Sequence, residues 1–362
     1  MRESRPQERE RVVMRGLEFI YRLACAPEVF AEHGSDLVNC FYFTSSTWPG
    51  GRVRRAARRM GVERARAWRR EFSTVPPGAD ADTLSFLIHG SYAADRLVPP
   101  DAALREQIVR RAKSLGPRDV FGFDPLAEAP PSDVPARCAC GEWNARGRKS
   151  CRECRARLEM TSRYLVWYMA LMRAYNYDCC GFACGASYAD VLGWLPAMRP
   201  YRGAEGGSNP DFYDTVYAVT HVVYTLNHYN LFELSPRWLP DEFAFLKAQV
   251  REAIGAHDPE MLGEIVDSLK AFGLTEAHPL ISEGVEYLLA AQNADGSWGP
   301  TDGDVYARYH STWTALDGLR PYAPRARGLS FPELKPLLRR WAARAPAATP
   351  APAPRGGRRR RR

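Results

Sequence analysis

The chain has 362 residues, 45% of them hydrophobic, which is enough for one large core or two domains. It has no apolar run of about 18 residues or more, so no membrane span is expected. The charged start MRESRPQERERVVMRG lacks the apolar core of a signal peptide, and a cytoplasmic protein is expected. The net charge of +8 rests on six arginines within RGGRRRRR (355–362), leaving +2 for the rest, and a nearly neutral body argues against nucleic-acid binding.

Helical periodicity dominates in chain order and strands are scarce. The pattern predicts helices near 10–24, 35–46, 52–72, 82–96, 101–115, 160–176, 186–197, 212–230, 241–254, 259–272, 279–292, 304–319 and 332–344. Punctuation by Trp48-Pro49-Gly50-Gly51, Pro76-Pro77-Gly78, Pro99-Pro100 and Arg202-Gly203…Gly206-Gly207 gives short joints between them. Alternating helices with short joints predict an all-α fold of helical hairpins. In the first part, taken as residues 1–134, candidate ligands are His89, in LSFLIHGSYAADRL, and the His33/Asp36/Cys40 face. Isolated histidines of this kind more often serve packing.

The segment 135–158 interrupts the pattern. Cys138, Cys140, Cys151 and Cys154 form two close pairs, and four thiolates so spaced can close a tetrahedron around structural zinc. A reducing compartment disfavours disulfides. From Cys140 onward, C-x3-N-x6-C-x2-C resembles the Ran-binding type of zinc ribbon, although the first pair has one intervening residue. Seven basic residues, Arg137, Arg146, Arg148, Lys149, Arg152, Arg155 and Arg157, make the insertion a candidate dock for an acidic protein. A small clip held by metal is the plainer expectation.

The second part, 159–345, carries Cys179-Cys180-Gly-Phe-Ala-Cys184, whose thiols more often pack as small apolar groups. From Asn209 to His228 the sequence reads as one long helix in which Asp214, His221 and His228 fall at i, i+7 and i+14, one stripe, with Tyr217 and Tyr224 beside it. Further on, Val285, Leu288, Leu289 and Gln292 share a helix face, Asp295-Gly296 is a turn signal, and a new run presents Tyr306, His310, Trp313 and Leu316. Gln292 is placed to bond freed carbonyls at the helix end, and Trp298 to cover the joint. The run 259–272 reads as the outer partner of this unit. The Ala/Pro-rich segment from Ala343 to Pro354 reads as an extended linker, and 346–362 as a disordered basic tail, which an acidic partner or anionic surface also fits. The Arg- and Ala-rich composition is that of a GC-rich bacterial genome.

The stretch from Gln292 to Gly296-Ser297-Trp298 resembles the glutamine–tryptophan repeat of squalene–hopene and terpene cyclases and of the protein prenyltransferase β-subunit. The resemblance implies an α/α toroid, a ring of helical hairpins around a central cavity. Tyr213-Asp214-Thr-Val216 is similar to the prenyltransferase segment that supplies an aspartate and a cysteine to catalytic zinc, with Val216 where the cysteine is expected. Tyr309-His310-Ser-Thr-Trp is similar to the segment that supplies its histidine. The resemblance implies a second metal on Asp214 and His310; the helix stripe offers His221 as a third ligand, with a site of His221, His310 and another inner-facing residue as the alternative, zinc, iron or copper as the metal, Tyr309 or Tyr217 relaying a proton, and His89 and His228 as lesser candidates. Tyr213, Tyr217, Tyr224, Tyr306, Tyr309 and Trp313 are expected to wall the cavity for an apolar or peptide substrate. The chain has no DxDD acid motif, since Asp80-Ala-Asp82-Thr83 stops one aspartate short and Asp302-Gly-Asp304 lacks the adjacent pair. It also lacks DDxxD, a Walker loop, a Gly-rich dinucleotide turn, HExxH and G-x-S-x-G. The expectation is a metal-dependent transferase or oxidative enzyme, and the rival is a non-catalytic zinc-binding scaffold.

Overall fold

A computed structural model describes residues 5–130, 136–138, 140–145, 148, 150–158, 162–321 and 326–343. The fold is all-α. The first half runs α1 (Arg5–Cys25), α2 (Pro27–Thr47), α3 (Gly51–Glu71), α4 (Ala81–Leu97), α5 (Ala102–Ala112) and α6 (Pro117–Phe121). The second runs α7 (Arg163–Cys180), α8 (Tyr188–Leu192), α9 (Leu195–Met198), α10 (Phe212–Leu226), α11 (Pro240–Gly255), α12 (Pro259–Ala271), α13 (Pro279–Ala290), α14 (Val305–Leu319) and α15 (Lys335–Ala342). Strand structure among the described residues is confined to two-residue pieces. The strands β1 (Ala136–Arg137) and β2 (Trp143–Asn144) pair antiparallel, and β3 (Phe232–Glu233) and β4 (Ala326–Arg327) pair parallel.

The ends of these helices follow from local chemistry. Asp80, Asp258 and Asp304 each accept a hydrogen bond from a backbone N–H three residues on, capping α4, α12 and α14. Asp80 and Asp304, the near misses to an acid motif, are therefore helix caps. Six helices pack in a closed cycle: α2 on α4, α4 on α7, α7 on α10, α10 on α12, α12 on α14, and α14 back on α2. The remaining long helices lie against them, α1 on α2 and α14, α3 on α2 and α4, and α11 and α13 on α12.

One reading is corrected by this packing. Residues 259–272 are not an outer partner: α12 is buried all along from Met261 to Ala271 and lies within the cycle. Its closest approach is at Gly263, where a Cβ would stand 2.3 Å from the Thr314 carbonyl oxygen. Only glycine lets α12 and α14 come that near. The glutamine–tryptophan joint behaves as its chemistry suggests. Gln292 Nε2 donates to the Val12 carbonyl at 2.8 Å and to Gly296 at 3.0 Å, and the fully buried Trp298 donates to Leu288 at 2.8 Å. Arg15 and Arg22 of α1 donate to the carbonyls of Ala294 and Asp295, so the joint fastens the end of α13 to the first helix of the chain.

Candidate functional site

The four cysteines of the insertion converge. Their sulfurs all lie within 4.8 Å of one another, with Cys138–Cys154 at 3.4 Å and Cys140–Cys151 at 3.7 Å. These spacings are too long for S–S bonds, and they match the roughly 3.8 Å edge of a tetrahedron with metal–sulfur bonds of about 2.3 Å. Asn144 organises the loop. Its Oδ1 accepts from the Arg152 N–H at 2.8 Å and its Nδ2 donates to the Cys151 sulfur at 3.5 Å. Burial opposes the Cys151 thiolate, but N–H groups of Cys154 and Glu153 and the Asn144 amide outweigh it and bring the thiol down to about 6. The donor set can hold a metal such as zinc. Arg146 and Lys149, part of the proposed basic face, and the tail 346–362 lie outside the described residues.

A separate site lies within the helix cycle. A cavity of about 360 Å³ is lined from all six helices, among others by Asp36 of α2, His89 of α4, Asn176 of α7, His221 of α10, Glu264 of α12 and His310 of α14. Glu260 and Glu264, one turn apart on α12, bridge the two neighbouring helices. Glu260 Oε1 accepts from Tyr217 at 2.7 Å and from His310 Nδ1 at 2.9 Å, while Oε2 accepts from Ser311 at 2.8 Å. Burial works against both charges, yet the mutual attraction prevails. Glu260 is held down at about 2, and His310 rises to about 9.

The second pair behaves oppositely. Glu264 is buried, and loss of water pushes its carboxyl up to about 8 despite a 2.5 Å bond from Thr220 Oγ1 to Oε2. Burial also drives His221 down to about 4, aided by the charge on His310. His221 Nδ1 lies 2.7 Å from the Tyr217 carbonyl, which can only accept. Nδ1 therefore carries the proton and Nε2 keeps its lone pair. His221 Nδ1 and Glu264 Oε2 are 4.0 Å apart. A neutral imidazole and a neutral carboxylic acid thus share one cavity at neutral pH.

No family model matches the chain, and searches of curated proteins and of solved structures found no match.

The residues expected to share a metal are only partly brought together. His221 and His310 both line the cavity, whereas Asp214 does not. Among the described residues the four thiolates form the one group of three or more His, Cys, Asp or Glu whose ligand atoms all lie within 4.8 Å. The proposed stripe through His228 is broken because α10 ends at Leu226, and His228, Tyr229 and Asn230 take positive φ. Both nitrogens of His228 are engaged, Nε2 with Tyr92 and Nδ1 with Tyr175, each at 2.9 Å. His89 lines the cavity with Nδ1 3.3 Å from Asn176, and its buried Nε2 has no hydrogen-bond partner among the described residues.

Of the expected aromatic wall, Tyr224, Tyr306 and Trp313 line the cavity. Tyr309 is instead buried behind it, donating to Asp36 at 2.8 Å, Tyr217 is spent on Glu260, and Tyr213 is exposed in the first turn of α10. Burial pushes the Cys179 and Cys180 thiols up to about 12 and about 11, which fits packing rather than ligation. The sequence reading missed Glu260 and Glu264. The available signal was charge within an apolar helix: Glu260, Glu264 and Asp267 fall at i, i+4 and i+7 of α12, one stripe of a segment otherwise built for a core.

Proposed function

We propose that the protein is an enzyme that moves protons on an apolar-bodied small molecule inside the helix cycle, and that its metal is structural zinc in the ribbon. The observation that carries this reading is the pairing of neutral His221 with protonated Glu264 in one cavity. Environments that push two titratable groups apart assign the base and the acid. His221 Nε2 takes a proton from one substrate atom and becomes imidazolium. The Glu264 carboxyl gives its proton to another substrate atom and becomes carboxylate. No electrons are exchanged, so the net change is an isomerisation. The centre resets when His221 Nε2 gives up its proton to solvent and Glu264 takes one from it. Glu260 and His310 stay ionised and position the wall.

The closed cycle of helices and the glutamine–tryptophan joint support an architecture of the α/α toroid kind, with the cavity on its axis. Two features favour acid–base chemistry over the metal-dependent transfer or oxidation expected from the motifs. Asp214 stands away from the cavity lining, and His221 and His310 each engage a glutamate of α12. Four thiolates close a zinc site completely, which makes that metal structural. Nine free cysteines fit a reducing cytoplasm, and no described helix is long and apolar enough to cross a membrane.

The test is solvent exchange. The protein is incubated in D2O with a bacterial small-molecule extract, and deuterium gain is read by mass spectrometry. The wild type is expected to label a compound that neither His221→Gln nor Glu264→Gln labels. Identical labelling by all three proteins would contradict the reading and leave a binding scaffold.

A further inference from the structure

Each of the three cations that line the cavity bonds a carboxylate outside it, and Arg320 also reaches Asp317 within it. Arg173 donates to Asp82 at 2.5 Å, His310 to Glu260 at 2.9 Å, and Arg320 to both oxygens of Asp267 at 2.8 and 2.9 Å. Against them stand four lining carboxyls, Glu32, Asp36, Glu264 and Asp317. Of these, only Asp317 reaches an arginine, Arg320 at 3.0 Å. Asp36 is met by the neutral Tyr309 hydroxyl and Glu264 by the neutral Thr220 hydroxyl. Glu32 sits largely in solvent, 3.7 Å from His33.

Six aromatic rings contribute to the wall. Phe43 stacks on Tyr229 with centroids 4.5 Å apart, and Tyr229 stacks on Tyr224 at 5.8 Å, in near-parallel series. All three line the cavity, together with Phe86, Tyr306 and Trp313. Tyr229 shares the cavity lining with Asp36 and Glu264. Ring faces and carboxyl oxygens share one preference, for a positive charge with little water around it. A neutral guest would leave Asp36 answered only by the charge of His310, which is itself bonded to Glu260. A hard metal ion needs converging oxygens, and no such group of three lies within 4.8 Å here among the described residues.

We propose that the ligand of this cavity is an organic monocation, an ammonium or amidinium on an apolar body, seated between Asp36 and Glu264 and the Phe43–Tyr229–Tyr224 stack. This deepens the proton-transfer reading by naming the charge of its substrate, and it rests on the same cavity. A volume of about 360 Å³ suits a body of one or two rings.

The experiment compares isosteric probes by calorimetry at pH 7. Benzylammonium, 2-phenylethylammonium and benzamidinium are set against benzyl alcohol, 2-phenylethanol and benzamide. At least a tenfold preference for the charged member is expected. Asp36→Asn should cut the preference at least fivefold. Should that variant fail to fold, Tyr229→Leu removes a ring face and is expected to do the same. Equal or tighter binding of the neutral probes, no binding of any cationic probe, or an unchanged preference in a folded variant would overturn the proposal. His221→Gln separates the two readings, since it should abolish deuterium exchange and keep the preference for cations.

Discussion

At the scale of single residues, the cavity depends on two glutamates of one helix being treated differently. Glu260 meets three donors, one of them a cation, and is ionised, whereas Glu264 meets one hydroxyl and is not. The pH dependence follows with a definite sign. Glu264 is raised from 4.5 to about 8 in the folded state, so the unfolded chain holds fewer protons between those values and stability falls as pH rises through them. Glu264→Gln should therefore stabilise the protein at pH 8, by roughly 2–3 kcal/mol, and change little at pH 4, as read by chemical denaturation. His310 is raised from 6.5 to about 9, so its contribution is complete below 6.5 and lost as pH passes 9. His310→Ala strands Glu260 and should cost about 3 kcal/mol at pH 6, with a smaller loss at pH 9.5. Activity should need neutral His221 and protonated Glu264, and hence fail below about 4 and above about 8. His221 and His310 were legible in the sequence because imidazoles on apolar helix faces stand out. Their true partners were not, because Glu260 and Glu264 read as ordinary helix charges until the packing buries them.

At the scale of elements, the joints are carried by a few contacts. The Gln292–Trp298 turn was readable from its residues, since an amide at a helix end and a large ring beside a tight turn have few other uses. Gln292→Ala should lose about 1 kcal/mol through the Val12 and Gly296 carbonyls, and Trp298→Ala about 3–5 kcal/mol through the cavity it leaves, both read by denaturant titration. Gly263→Ala should cost about 1–3 kcal/mol, because the new methyl forces α12 off the Thr314 carbonyl. The end of α10 was not legible. Val, Tyr, Thr and Leu continue helical spacing to His228, and only the run of positive φ at His228, Tyr229 and Asn230 reveals the break. That break turns Tyr229 and Asn230 into cavity lining. It also moves His228 into a cradle of Tyr92 and Tyr175.

At the scale of the whole molecule, the thiolate cluster and the cavity are separate. The thiolate site holds its ligands within one short insertion, and the cavity draws on six helices. The account expects one equivalent of zinc by elemental mass spectrometry, lost in Cys151→Ser and retained in His310→Ala. Its removal should disturb the ribbon and leave the helical circular dichroism nearly unchanged. The all-α class was readable from periodicity, but the order in which helices neighbour one another was not, because ring closure rests on contacts distant in sequence such as α14 against α1 and α2. The central claim is that this assembly keeps a carboxylic acid neutral beside a neutral imidazole. Its most direct test is a carboxyl carbon-13 NMR titration, with the Glu264 resonance assigned by its absence in Glu264→Gln. The account predicts a midpoint near pH 8; a midpoint near the ordinary 4.5 would contradict it.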